Sequence, residues 1–217
     1  MELATELELD QPRDTDYKYE ELFGSTNKKH GIEMLPPTIQ NQWAKPKTRM
    51  WCWSYGICHA VNAMNRAVAE IDQMRYFDIP AEGLWMNRLE KDPAAEAQGS
   101  TLQSWLDTMK DLGYITGYTR TNGIESMKDS LDNKRPLYTG SKNCNWHTVR
   151  DEHQYSLWSG YAHIFSIIGY NESGWIAVNS YWPLNWIFYI NFKYTDSLFS
   201  VYSLHDSHDS EVFANQK

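Results

Sequence analysis

Tyr161-Ala162-His163-Ile164-Phe165-Ser166-Ile167-Ile168-Gly169-Tyr170 is an apolar, β-branched run that passes through a glycine, and it reads as a buried strand headed by a histidine. Asn171-Glu172-Ser173-Gly174 then reads as a tight turn, followed by a second strand, Trp175-Ile176-Ala177-Val178, which leads into Asn179-Ser180-Tyr181-Trp182. His163 and Asn179 stand 16 residues apart, which suits the matching ends of two antiparallel strands joined by that turn. An amide in such a place accepts an imidazole N–H and fixes the tautomer of the ring. Further strands are predicted at Leu137-Tyr138-Thr139, from Trp186 to Phe192 and from Leu198 to Leu204.

Helical patterns come earlier in the chain. After Cys52, the apolar residues Ile57, Val61, Met64 and Val68 recur at helical spacing. Leu102, Trp105, Leu106, Met109 and Leu112 form a second stripe, opened by Ser100 with Gln103 as a capping box and ended at Gly113. A short third helix runs through Ile124, Met127 and Leu131 ahead of Pro136. Helices first and an antiparallel sheet later predict an α+β chain with a cleft between two lobes.

Cys52 sits where the first helix starts, in Cys52-Trp53-Ser54-Tyr55. Unpaired N–H groups and the positive end of the helix dipole both favour a thiolate there. With a histidine as ion-pair partner, the thiol pKa is expected to fall from about 8.5 to about 4. The competing reading makes Cys52 a small core residue, His163 a satisfied strand histidine and Asn179 a turn former. Cysteine, histidine and asparagine in this order supply a nucleophile, its base and an orienter, and this makes a hydrolase the first hypothesis.

On these blocks the chain resembles the papain-like cysteine peptidases, in particular their compact bacterial and viral members. The similarity runs over about residues 35 to 203 and includes Asn41-Gln42, the Cys52 block, the His163 strand, and Asn179-Ser180 followed by Trp186 and Ile187-Phe188-Tyr189-Ile190. The resemblance implies a helical lobe over about 50–135, an antiparallel sheet or barrel lobe over about 136–204, and the active site in the cleft between them. It also implies Cys52 as nucleophile, His163 as general base and later acid, and Asn179 as orienter. Gln42 would be the oxyanion-hole donor beside the Cys52 N–H, with Gln40 its rival, and Trp182 or Trp186 would shield the Asn179–His163 hydrogen bond. The chain departs from the family in having Arg49-Met50-Trp51 just before the nucleophile, where the family signature has a cysteine, so the family disulfide cannot form there. Gly99 stands in for the missing Cys-x-Gly-Gly segment as an unhindered edge for an extended peptide.

Composition narrows the remaining choices. With 217 residues, 41% of them hydrophobic, and ten Trp, the chain can bury the core of one medium enzyme domain. A net charge of −8 argues against nucleic acid as a partner. No apolar run approaches the roughly 20 residues of a membrane span, and Met1-Glu2-Leu3-Ala4-Thr5-Glu6 is acidic where an export signal is basic and then apolar. Residues 1–34 are read as an acidic N-terminal arm ahead of a domain at 35–217: a pro-segment, a docking element for a basic protein partner, or a solubilising tail. Three cysteines, Cys52, Cys58 and Cys144, fit reduced thiols and a cytoplasmic or virion-associated protein. Cys58 reads as core and Cys144 as part of a polar loop over 142–147. Zinc is the competing reading for the Cys and His residues, but no CxxC pair or His-x-x-x-His pair supports it, and His205-Asp206-Ser207-His208-Asp209 reads as a solvated tail. The expectation is therefore a cofactor-free cysteine peptidase acting on a peptide or protein. The alternatives are a papain-like fold serving as a structural or binding component of an assembly such as a phage virion, and another thiol acyl hydrolase or transferase.

Overall fold

The carbonyl of Trp51 accepts the N–H groups of Ser54 and Tyr55 at 3.1 and 3.2 Å, making Trp51 the N-cap and Cys52 the first residue of α1 (Cys52–Ile71). The computed structural model describes residues 30–31, 51–71, 79–81, 83–85, 101–141, 145–147, 154–156, 162–172, 174–178, 180 and 187–206. Ile57, Val61 and Met64 are buried as their spacing predicts, but so is every residue from Ser54 to Met64. Over residues 54–64 the one-sided stripe is thus corrected to a helix enclosed on all sides, and burying its polar groups requires partners. The Ser54 hydroxyl donates to the Ala81 carbonyl. The Asn62 amide accepts the Ile79 N–H at 2.9 Å and donates to the Ile79 carbonyl at 3.2 Å. Trp51, Trp85 and Trp105 stack in series, with centroids 4.9 and 5.2 Å apart, and join α1 to its neighbours.

Trp105 belongs to α2 (Leu102–Asp111), which buries Leu102, Trp105, Leu106 and Met109. Its capping box lies one residue later than the sequence reading placed it. Thr101 accepts the Ser104 N–H at 3.1 Å, and the Ser104 hydroxyl accepts the Thr101 N–H at 3.2 Å. The reciprocal bond needs a side chain three residues after the cap, which Ser104 supplies for Thr101. At the other end Gly113, at φ 76°, donates to Lys110 while Tyr114 donates to Met109, the paired bonds of a glycine-terminated helix.

The remaining elements are β1 (His30–Gly31), β2 (Gly117–Thr121), α3 (Ile124–Asp132), β3 (Leu137–Ser141), β4 (Asn145–His147), β5 (Gln154–Ser156), β6 (His163–Tyr170), β7 (Gly174–Val178), β8 (Ile187–Asn191), a 3₁₀ segment (Phe192–Ser197) and β9 (Val201–His205). Six strands run in the order β2-β9-β3-β6-β7-β8, with β1 on β6, and every neighbouring pair is antiparallel. The chain is therefore α+β. The turn before β7 is closed by Asn171, whose side chain accepts the Gly174 N–H at 3.0 Å.

Both faces of the sheet are covered. Tyr138, Ile164 and Leu204 pack with α1 and α2 on one face, while Leu137, Phe165, Ile167 and Val201 pack with Met127 and Leu131 of α3 on the other. The β6–β7 register slips between Ile167 and Gly169, so Ile168 is an extra residue. This bulge inverts the alternation, which is how even-numbered Tyr170 joins Phe165 and Ile167 on the α3 face.

Three expectations change. β2 falls inside the stretch read as helical, and it pairs as an edge strand with β9. β4, within the presumed polar loop, pairs with β5 in a separate two-stranded sheet. His30 and Gly31, inside the presumed arm, pair with Tyr170 and Gly169. Pairing with a distant strand, invisible in local composition, produces the first and the third, whereas β4 pairs with its near neighbour β5. Among the described residues no helix is long and apolar enough to cross a membrane.

Candidate active site

Gly56 lets the start of α1 lie close on β6. A Cβ there would stand 3.3 Å from the N and Cα atoms of Phe165 and from Cγ2 of Ile164. One turn earlier on α1, Cys52 is 8% exposed, and its sulfur is served by the backbone N–H of Ile164, by that of Trp53 and by its own. The residue after His163 thus reaches the thiol that the sequence pairs with His163, although 111 positions separate Cys52 from that histidine. The hydroxyl of Tyr138, on β3, donates to the Trp53 carbonyl at 2.9 Å and steadies the same helical turn.

The expected acid shift of the thiol is corrected. Burial pushes Cys52 up to about 11, and the three N–H groups pull it back only in part. Loss of hydration penalises the anion more than the helix terminus favours it, and the groups served to the sulfur are peptide N–H groups rather than a cation.

His163 opens β6 and is 6% exposed. It pairs across the strands with Ser141, and Gly140 pairs with Ile164. A Cβ on Gly140 would collide with the His163 carbonyl oxygen and stand 2.5 Å from Cδ1 of Ile164. Gly140 and Ser141 are themselves braced by the end of the 3₁₀ segment and the chain just after it: Phe199 N–H donates to Gly140 O at 2.7 Å, and the Ser141 hydroxyl donates to Ser197 O at 3.0 Å. The His163 ring lies 6.3 Å from that of Phe165.

The sequence reading overlooked His59. It follows Cys52 by seven positions, two helical turns along the same side of α1, and is fully buried. Burial, and then repulsion from the His163 ring when that ring is protonated, hold its imidazole down to about 3, so it is neutral at physiological pH. The spacing from Cys52 was the available signal, and the apolar stripe chosen for α1 lies on another side.

Gln42, its rival Gln40, Asn179, Trp182, Trp186, Gly99 and Cys144 lie outside the described residues. The chain neighbours of Asn179 are described: Val178 pairs with Ser166 of β6, and Ser180 is buried. Cys58 is fully buried in the α1–α2 core, as expected of a packing residue. Trp51, at the entrance to the cysteine block, is committed to the tryptophan stack. Among the described residues no group of three His, Cys, Asp or Glu side chains is placed to hold a metal ion.

Comparison with known protein families, with curated proteins and with solved structures finds no match. The chemistry available at the site is that of a buried neutral thiol at a helix start, beside a strand headed by a histidine, with a second, neutral histidine close by.

Proposed function

We propose that this protein is a cysteine peptidase with a papain-like arrangement, in which Cys52 attacks a peptide carbonyl and His163 handles the proton. One observation supports the reading: the first turns of α1, which carry Cys52, lie against the head of β6, with a Cβ on Gly56 only 3.3 Å from Ile164 and the Phe165 backbone, so the nucleophile candidate and the head of the histidine strand converge from distant parts of the chain. In the first step the thiol proton moves to His163 as sulfur bonds to the carbonyl carbon. The oxyanion is held by the Cys52 N–H and the Gln42 amide, and Asn179 orients the ring. His163 then gives the proton to the leaving amine as the C–N bond breaks. Water, deprotonated by the same imidazole, cleaves the thioester and restores the thiol. Because the resting thiol is neutral, the proton leaves during attack rather than before it.

The raised Cys52 pKa favours a second reading, a papain-like fold used as a binding or structural component without turnover. Labelling with an epoxide or vinyl-sulfone probe of thiol proteases, mapped by mass spectrometry, separates the two. The peptidase requires modification at Cys52 that is lost in His163→Ala. Labelling at none of the three cysteines, or equally at all of them, leaves the binding role.

A further inference from the structure

The end of β6 away from His163 carries a cluster that the proposed chemistry does not use. It is seven residues along the strand at about 3.3 Å each, roughly 23 Å from the histidine. Tyr170, Trp175 and Phe192 stand edge to face there: the Tyr170–Trp175 centroids are 6.1 Å apart at 71°, and the Trp175–Phe192 centroids 4.7 Å apart at 80°. Trp175 is fully buried and its indole N–H donates to the Thr195 hydroxyl at 2.9 Å, so it backs the two rings that face the Lys128 ammonium. The Tyr170 hydroxyl donates to both carboxylate oxygens of Asp132, at 3.0 and 2.9 Å, which fixes one of those rings. The Lys128 ammonium, from α3, lies 4.9 Å from the Phe192 ring centre and 5.6 Å from that of Tyr170. It also pairs with Glu125 at 3.2 Å, and the Lys128 side chain is only 27% exposed.

We propose that this aromatic box is a binding site for a small quaternary ammonium compound and that Lys128 is its displaceable resident. Ring faces attract a cation electrostatically, and the attraction survives best for a cation that is weakly hydrated. A tetraalkylammonium loses little on leaving water, whereas a primary ammonium such as that of Lys128 gives up strong hydration. Among the described residues, the carboxylate paired with the Lys128 ammonium is that of Glu125, whose side chain is 88% exposed and remains largely solvated. Lys128 keeps its place because it is tethered, and its flexible stem lets the head withdraw to solvent without moving α3. The two ring faces against the ammonium come from separate stretches of chain, Tyr170 on β6 and Phe192 in the 3₁₀ segment, and both pack on the buried Trp175, so the box persists when the lysine leaves.

The test uses saturation-transfer NMR from the protein to the methyl protons of tetramethylammonium, with choline as a second probe and sodium chloride to match ionic strength. Lys128→Gln removes the charge and leaves a shorter, neutral side chain, and Lys128→Ala opens the slot. Both variants should bind the probe with a dissociation constant in the millimolar range, at least about 10-fold tighter than the parent protein. Adding Phe192→Ala to either should abolish the transfer. Absence of saturable binding in both lysine variants overturns the proposal, as does binding that survives Phe192→Ala. Neither readout depends on hydrolysis, so the site stands or falls separately from the peptidase reading.

Discussion

The carbonyl of His163 occupies the space where a side chain on Gly140 would be. A methyl group there would also press on Ile164 Cδ1, at 2.5 Å, and on Phe199 Cδ2, at 3.0 Å. These obstacles are largely backbone and braced core, so Gly140→Ala must push β6 away from β3 at the histidine itself. Overpacking of this kind is expected to cost about 1–3 kcal/mol, read as a lower midpoint in chemical denaturation. Gly117→Ala is the comparison, since nothing lies within 4 Å of its added carbon, and its stability should be unchanged or slightly raised. Equal effects at the two glycines would mean that the close approach at His163 is not what Gly140 serves.

His59 predicts an acid limb of unfolding. Its native pKa, about 3, lies below the ordinary value of 6.5, so the unfolded chain binds a proton that the folded one refuses. The stability it supports is present above pH 6.5 and drains away as pH falls toward 3, by on the order of 4 kcal/mol in total. His59→Gln should flatten that part of the stability curve, measured by urea unfolding at a series of pH values. An unaltered acid limb in the variant would assign the limb to other groups.

Legibility from sequence followed how local each cause was. β6 could be read because apolar, β-branched residues fill all of it, and α2 because its apolar stripe and its glycine stop are both local. The bulge at Ile168 could not, since one extra apolar residue in an apolar run leaves no compositional trace. β2 owes its existence to β9, about 85 residues away in sequence, and its mixed burial hides the alternation that would have announced it. At the site, the meeting of the Cys52 block with the His163 strand was anticipated from residue order, whereas the charge state of the thiol was not. A sequence displays the helix start that favours the anion, but the depth of burial that opposes it is a property of the packed fold.

Asn62 is the polar clamp between α1 and the chain around Ile79, making two hydrogen bonds at 2.9 and 3.2 Å in a buried setting. Asn62→Ala removes both and leaves a cavity beside a desolvated peptide group. Losses of about 1–3 kcal/mol per buried group make this a severe substitution despite its small size. Asn62→Asp keeps only the acceptor and should be the less stable of the two at neutral pH, because it places a charge in the core. Thermal melts of the two variants check the order.

The last prediction concerns the thiol. A buried sulfhydryl held up to about 11 reacts slowly at neutrality, because the thiolate is the reactive form. Alkylation of Cys52 by iodoacetamide should therefore climb through the alkaline range, above the onset for an exposed thiol near pH 8.5. The same shift has a consequence for stability. Between about 8.5 and 11 the unfolded chain has lost a proton that the folded chain keeps, so the contribution of Cys52, complete below that window, is lost as pH rises through it. Cys52→Ala should remove this alkaline loss, and in the peptidase reading it should also abolish hydrolysis. Replacing the backbone donor is not possible by substitution, but Gly140→Ala, which displaces the strand carrying the Ile164 N–H, should raise the alkylation onset further. Rapid alkylation of Cys52 below pH 7 that disappears in His163→Ala would instead establish a thiolate–imidazolium pair at rest, and the neutral-thiol mechanism would give way to one in which the proton has already left.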